Sequence, residues 1–446
     1  MHPILLRVVR RPLVLLALAA AAAAQDRNVL LILLDDVGVD RVACYGLAPD
    51  PPATPTLDGL AAEGVRFENV WAQPYCGPSR AALLTGRFGF RTGLGQNVEH
   101  GLGKKGLALE EWTLPEVVRA GSEGRVRSAA CGKWHLASFD QGDDHPRAQG
   151  FERARLTQGN LGGFESFTKL VDGQRVEVER YATSDTVDDA LALAAGFGDE
   201  PWLLYVALHA AHVPFHAPPA HLRRRELEGE PEDDAPAHHK AAVEAADAEL
   251  GRLLAGLPPA VRARTTVIVM GDNGTPRPAV EAPFLPEHAK GTLYEGSLRV
   301  PLIVQGAGVA ARGARCTALL ASVDVFATAA ELLGVEARAV VPPDVRLDGT
   351  SFAALLADPA ASGAREVAFA ERFAPNHSVE PTRLWRAVRG PRFKLIRNVL
   401  KQRDRLYDLE ADPHEEHELL GAGQLSDAAR AAHAQLSAAL TAIVGS

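Results

Sequence analysis

The feature of this sequence that most constrains its fold is a set of short apolar runs that each end in polar residues. Continuous apolar runs of this length are typical of strands buried on both faces of a parallel sheet. The four runs span residues 28–34, 127–131, 202–208 and 265–270. Helical patterns lie between them, for example at residues 57–63, 114–120, 185–195 and 241–254. This alternation predicts an α/β fold with a large, mostly parallel sheet flanked by helices.

Polar residues collect at the points where these predicted strands end. Asp35 and Asp36 follow the first run, and Asp272 and Asn273 follow the last one. The other two runs lead into segments that contain Lys, His and Pro. Because ligands of open parallel sheets bind outside the carboxyl ends of the strands, we expect the functional site there.

The C-terminal part of the chain has a different pattern. Its predicted elements are short strands within 384–397 and 405–409 and a closing helix at 428–444. We therefore expect a larger α/β domain over residues 25–335 and a smaller C-terminal α+β subdomain with short antiparallel strands over 336–446. Residues 138–180 and 221–239 have weak periodicity, which predicts surface excursions around the sheet.

The first 24 residues have the pattern of a signal peptide. Arg7, Arg10 and Arg11 precede an apolar run from Pro12 to Ala24, which ends in small residues that suit signal peptidase. The run is shorter than the roughly 20 residues that a membrane-spanning helix needs. We therefore expect export to the periplasm or the extracellular space without stable membrane insertion. A retained membrane anchor is the alternative.

Charge and cysteine content exclude some classes of protein. The 446-residue chain has a formal net charge of -9 and no long Lys/Arg tract, which argues against nucleic acid as a partner. An acidic protein still binds anionic substrates when cations line its cleft. An exported protein held by disulfides usually has more than the four cysteines present here. These are Cys44, Cys76, Cys131 and Cys316.

One of these cysteines precedes a predicted helix. The string that begins at Cys76 reads Cys-Gly-Pro-Ser-Arg and continues to Thr85-Gly86. Pro78 and the residues after it favour a helix start, so Cys76 is expected beside backbone N–H groups that favour an anion. Considered alone, Cys76 is equally well explained as a small buried apolar residue.

The complete string resembles the signature of the sulfatase family. That signature has Cys or Ser, then any residue, Pro, any residue and Arg, with Thr-Gly five residues later; the matching residues here are Cys76, Pro78, Arg80, Thr85 and Gly86. The resemblance implies that a maturation enzyme converts the cysteine to formylglycine, an aldehyde whose hydrate is the nucleophile. One hydroxyl of the hydrate attacks sulfur and the other later expels sulfate.

The residues after the first and last strands indicate a metal site. Asp35, Asp36, Asp272 and Asn273 offer hard oxygen ligands, which together with an oxygen on residue 76 suit one Ca²⁺ better than Mg²⁺. Each pair alone is also explained by capping or by a turn. In sulfatases these four positions are calcium ligands, so the resemblance implies the same role here.

Three further segments resemble sulfatase motifs. Lys133 and His135 lie in a Gly-Lys-Trp-His-Leu segment, His212 in a segment that resembles Pro-His-Thr-Pro, and Lys290 in a Lys-containing segment. The resemblance implies that Arg80 and Lys133 orient the formylglycine hydrate and that His135 is the base that removes its second proton. His212 and Lys290 are expected to bind sulfate, and one of them to protonate the leaving alcohol.

These segments also depart from the family pattern, and the histidines permit another explanation. Ala137, Ala211 and Ser297 replace residues that are usual in the family, which puts loop geometry rather than chemistry in doubt. The three histidines at 209, 212 and 216 also suggest zinc, but no fourth ligand lies at a familiar spacing.

The expected function is therefore a calcium-dependent, formylglycine-type sulfatase that acts on a sulfated carbohydrate or an aryl sulfate. A phosphoryl or phosphonate ester hydrolase of the alkaline-phosphatase-like superfamily is the nearest alternative. From a different class, the chain is a non-catalytic binder of sulfated glycans if Cys76 stays unmodified. The mass of the peptide that contains Cys76 distinguishes these cases.

Overall fold

The structure, a computed structural model, describes residues 26–98, 105–363, 365–421 and 425–445. The predicted signal peptide lies outside this part of the chain. Within it, no helix combines the length and the apolar character that crossing a membrane requires.

A ten-stranded sheet forms the centre of the molecule, in the order β10-β2-β9-β8-β1-β7-β3-β4-β5-β6. Its strands are β1 (Asn28–Leu34), β2 (Val65–Trp71), β3 (Arg127–Lys133), β4 (Arg153–Thr157), β5 (Ser166–Val171), β6 (Gln174–Glu179), β7 (Trp202–Ala207), β8 (Thr265–Gly271), β9 (Leu302–Gly306) and β10 (Ala314–Ala321). The five neighbours β8, β1, β7, β3 and β4 run parallel, whereas β9, β5 and β6 pair antiparallel with their neighbours. The prediction of a large, mostly parallel sheet is confirmed.

Helices cover both faces of this sheet. The described helices of eight or more residues are α1 (Pro55–Glu63), α2 (Cys76–Thr85), α3 (Leu114–Gly121), α4 (Ala182–Gly196), α5 (Ala235–Gly256), α6 (Ser322–Leu332) and α7 (Asp427–Val444). Every residue of β1 is buried, and alternate residues belong to the apolar cores on opposite faces of the sheet. Such two-sided burial explains why the strand is a continuous apolar run rather than an alternating one.

A second, four-stranded antiparallel sheet lies in the C-terminal part. It consists of β11 (Ala368–Ala374), β12 (Arg383–Arg389), β13 (Phe393–Asn398) and β14 (Arg403–Asp408). Helix α7 packs on one face of this sheet, through Leu436 and Leu440, and Trp71 of the large sheet packs on the other. The predicted small α+β unit is therefore present, while a domain boundary at residue 335 stays a prediction.

The region 138–180 was expected to form surface excursions, but the structure shows that part of it belongs to the large sheet. It contains β4, β5 and β6, which extend one edge of the large sheet. In β6 only Val178 is buried, because an edge strand packs on one face and leaves the other in solvent. A strand with so few apolar residues has a weak sequence signal.

Candidate active site

The carboxyl ends of β1 and β8 bring the predicted acidic residues together. The two strands pair in parallel with Leu34 opposite Gly271. The Asp272 amide donates to the Leu34 carbonyl at 3.0 Å, and Asn273 Nδ2 donates to Asp36 Oδ1 at 2.7 Å. These side chains and Asp35 are all fully buried.

Asp36 is held in an unusual backbone conformation. Its φ is +63°, a left-handed value that side-chain-bearing residues adopt at an energetic cost. Its amide donates to Asp272 Oδ1 at 3.1 Å, and its carbonyl accepts a hydrogen bond from His239 Nε2 at 2.9 Å. Sequence reasoning missed His239, because one histidine inside the long helix α5 carries no motif.

Cys76 is the first residue of α2 and lies among the same side chains. Its Sγ is 3.3 Å from Asp35 Oδ1, 3.8 Å from Asp36 Oδ1 and 3.2 Å from Lys290 Nζ. The side chain is fully buried. The structure thus places the cysteine at the start of a helix, as the sequence predicted, and against both acidic residues of β1.

Arg80 and Lys133 form a second layer of charge. Arg80 Nη2 and Nε donate to Asp272 Oδ2 at 2.7 and 3.2 Å, and Arg80 Nη1 donates to the Lys133 carbonyl at 2.7 Å. Lys133 Nζ donates to Asp35 Oδ2. Both cations are fully buried, so each depends on these partners for charge compensation.

The segment that follows β3 enters the site because the second-to-last residue of β3 is a glycine. Gly132 has a φ of +95°, and a Cβ there would lie 1.9 Å from the Ala207 carbonyl of β7. His135 has a φ of +59° and is buried, and its carbonyl would be 3.3 Å from a Cβ on Gly77. The backbone of His135 therefore lies next to Gly77, the residue that follows Cys76.

His212 and Lys290 lie beside Asp36. His212 Nε2 lies 3.9 Å from Asp36 Oδ2, and Lys290 Nζ forms an ion pair with Asp36. His209 instead contacts Thr157 Oγ1 at 2.7 Å. The residues predicted for catalysis and metal binding thus lie at one end of the sheet.

Burial and neighbouring cations set the charges of the site. Burial raises the pKa of Asp35, but the cations, led by Lys133, outweigh it and hold that pKa well below its ordinary value. The pKa of Asp36 is lowered by the same balance, with Lys290 the strongest cation. Burial and then the charge of Asp35 raise the pKa of the Cys76 thiol. At neutral pH the two carboxylates are ionised and the thiol is not.

The oxygen atoms of the site suit a hard cation. One ligand atom each from Asp35, Asp36, Cys76 and His212 lies within 4.8 Å of the others. Within the described part of the chain, Asp36 Oδ2 and Asn273 Oδ1 are buried without a hydrogen-bond partner. Carboxylate and amide oxygens are the ligands that Ca²⁺ prefers, so these orphaned atoms fit that ion.

Asp272 is engaged differently from the other acidic residues. Its Oδ1 accepts from the Asp36 amide and its Oδ2 from Arg80, so both oxygens already have protein partners. Burial and then the charge of Asp35 raise the pKa of Asp272 to about 7.

Comparison with known families identifies the class of protein. Residues 27–335 match the family model described as Sulfatase, and residues 287–442 match the one described as N-sulphoglucosamine sulphohydrolase, C-terminal. Human arylsulfatase A is 33% identical over 379 residues, which are 77% of this chain and 70% of that protein. Pig N-acetylgalactosamine-6-sulfatase is 30% identical over 362 residues, 73% of this chain and 65% of that protein. The chain belongs to the sulfatase family. It is an enzyme that hydrolyses sulfuric esters.

Solved structures share the fold. Ps i-CgsB in complex with k-i-k-neocarrahexaose superposes with a TM-score of 0.74 at 24% identity, over 89% of each chain. The PsFucS1 sulfatase from Pseudoalteromonas sp. has a TM-score of 0.74 at 21% identity, over 96% of this chain and 93% of that one. At these identities the likeness concerns architecture alone, and it agrees with the predicted fold class.

Proposed function

We propose that this enzyme is a formylglycine- and calcium-dependent sulfatase in which the nucleophile derives from Cys76. The observation that carries the proposal is the position of Cys76, fully buried at the start of α2, 3.3 Å from Asp35 and 3.2 Å from Lys290. The complete signature string surrounds it, and the sulfatase family is established for the chain.

The charge state of Cys76 supports its conversion. A cysteine acts as a nucleophile in its thiolate form, and here burial and Asp35 raise the thiol pKa. An unmodified Cys76 is thus a poor nucleophile at neutral pH. A formylglycine hydrate would supply an oxygen nucleophile in the same position, together with a second hydroxyl that serves to expel sulfate.

The surrounding side chains hold this nucleophile and the sulfate. Arg80, fixed by Asp272, and Lys133 would orient residue 76 and offset negative charge. Lys290 and His212, beside Asp36, would bind sulfate oxygens, and one of them would give a proton to the leaving alcohol. His135 would remove the proton of the second hydroxyl.

Calcium is proposed at the ends of β1 and β8. Asp35, Asp36, Asp272 and Asn273 would hold it, together with the oxygen of modified Cys76. The two orphaned oxygens of the site support this assignment. When bound, Ca²⁺ would attract sulfate oxygens and lower the pKa of the nucleophilic hydroxyl.

The substrate is proposed to be a sulfated carbohydrate or an aryl sulfate. The names of the relatives include both arylsulfatases and an N-acetylgalactosamine-6-sulfatase.

We further propose export through the signal peptide, maturation by a formylglycine-generating enzyme, and a catalytic domain that ends near residue 335.

The proposal is tested by the mass of the peptide that contains Cys76. Active enzyme should show sulfur replaced by oxygen with loss of two hydrogens, and Cys76→Ala should release no sulfate from nitrophenyl sulfate. Cys44→Ala is the matched control, since Cys44 is half-buried outside the site and should keep full activity. Full turnover by protein that contains only the unmodified thiol would refute the formylglycine assignment.

A further inference from the structure

One face of the four-stranded sheet extends beyond its packed part. Ala370 of β11 and Ala387 of β12 lie on this face and pack with Trp71 of the large sheet. Because side chains alternate along a strand, Arg372 and Trp385, each two residues further toward one end, lie on the same face.

A row of polar and aromatic side chains crosses this end of the sheet. Arg372 is paired with Trp385, Trp385 with Asn398, and Asn398 with Arg403. Arg383 lies two residues before Trp385 and therefore shares its face. Cβ atoms of directly paired residues are about 4.5–5.5 Å apart, so the side chains are neighbours. We call these five residues the basic row.

The basic row begins beside the active site. The Arg372 guanidinium donates to the carbonyl of Gly291. Gly291 follows Lys290, whose Nζ is 3.2 Å from Cys76 Sγ. Gly291 also lies against Tyr75, the residue before Cys76. A Cβ on Gly291 would be 3.0 Å from the tyrosine ring. Arg372, at one end of the row, therefore contacts the residue next to Lys290, and Lys290 contacts Cys76.

The arginines of the row have unused hydrogen-bond donors. Arg372 is half-buried and makes its one side-chain hydrogen bond to Gly291, counted over the described residues. Arg383 and Arg403 are exposed, and their side chains have no ion-pair or hydrogen-bond partner in that same part of the chain. By contrast, Arg392, which directly precedes β13, and Arg397 of β13 are paired with aspartates at 2.7 Å.

We infer that the basic row binds a second anionic group, a carboxylate or a further sulfate, on sugar units adjoining the one that loses its sulfate. The planar guanidinium fork matches both groups, and an aromatic face such as that of Trp385 packs on a sugar ring. Uncompensated arginines in a protein of net charge -9 are complementary to an acidic chain. The inference rests on the proposed function and names its substrate class, an acidic oligosaccharide or polysaccharide.

The test compares Arg383→Ala and Arg403→Ala on four substrates with the wild type. The substrates are nitrophenyl sulfate, a trisaccharide whose only charged group is one sulfate, the same sulfated trisaccharide with a uronate, and the same sulfated trisaccharide with a second sulfate. For the two dianionic sugars we expect kcat/KM to fall about fivefold or more in each variant, since charge-assisted hydrogen bonds are lost. Losses on the two monoanionic substrates, nitrophenyl sulfate and the singly sulfated sugar, should be at least threefold smaller. Arg312→Ala, an exposed arginine paired with Glu63, is the control.

The substrates also separate the ways in which the idea fails. A loss confined to the uronate or to the doubly sulfated sugar supports the inference and identifies the anion. Equal losses on all four substrates, or none on the dianionic sugars, overturn it. If the wild type releases no sulfate from any substrate, the proposed function fails instead. Calorimetric binding of the dianionic sugars to Cys76→Ala, with and without Arg383→Ala, then tests the basic row independently of turnover.

Discussion

Glu371 offers a quantitative test of how the C-terminal sheet is joined to the segment around Phe90. This glutamate of β11 is fully buried on the face of the sheet opposite Ala370, where its Oε1 accepts from the Phe90 amide at 2.6 Å and its Oε2 from Arg386 Nε at 3.2 Å. Burial raises its pKa from 4.5 to about 7, although Arg386 opposes the shift. The unfolded chain therefore ionises at this position at lower pH than the folded protein does.

The sign and the size of the effect follow from this difference. A raised pKa contributes stability that is fully present below about pH 4.5 and is lost as the pH rises to about 7. At about 1.4 kcal/mol for each pH unit, the loss is about 3 kcal/mol. With an unfolding entropy of roughly 2 cal/mol/K per residue, this amounts to about 3–4 °C in the unfolding temperature.

Glu371→Gln removes the ionisable group and keeps its shape. The unfolding temperatures of the variant and the wild type are measured by scanning fluorimetry at pH 5 and at pH 8. We expect the wild type to lose about 3 °C relative to the variant over this range, so the difference, variant minus wild type, should be about 3 °C larger at pH 8. The exposed residue Glu380 supplies the control, because Glu380→Gln should give a constant difference over this range. A difference for Glu371→Gln that stays flat or decreases with pH contradicts the reasoning.

The remaining predictions concern the metal and the proton transfers. Elemental analysis should find about one calcium per chain, and its removal should lower both activity and unfolding temperature, because the buried carboxylates then repel one another. Asp272→Ala should lose both metal and turnover, and stoichiometric zinc with full activity after calcium removal would count against the assignment. If His212 or Lys290 is the general acid, its replacement by Ala should slow sugar sulfates up to ~10²–10⁴-fold more than nitrophenyl sulfate, whose leaving group needs no proton. His135→Ala should slow both substrates equally, and a leaving-group dependence in His135→Ala alone would show that acid and base are assigned the wrong way round.

The positions of some predicted site residues could be inferred from the sequence, because these residues lie in contiguous segments that follow strands or begin a helix. Asp35 and Asp36 directly follow a fully buried strand, so their position at its carboxyl end was readable from the apolar run. Cys76, Arg80 and Lys290 lie within contiguous motifs, and the structure brings all three to the same place. His239 is different, since it reaches the Asp36 carbonyl from a helix about two hundred residues away in sequence.

The sequence alone determined the kind of fold and the residues that converge in its site. Apolar runs specify strands buried on two faces, and parallel strands bring their carboxyl ends to one edge, so motifs that follow them meet whatever the intervening loops do. Tertiary structure decided the strand order, the pairing of Asp272 with Arg80, and the alignment of Arg372 with Trp385 and Arg403. These depend on contacts between residues distant in the chain, whose energies are set by register and burial and leave no local pattern in the sequence.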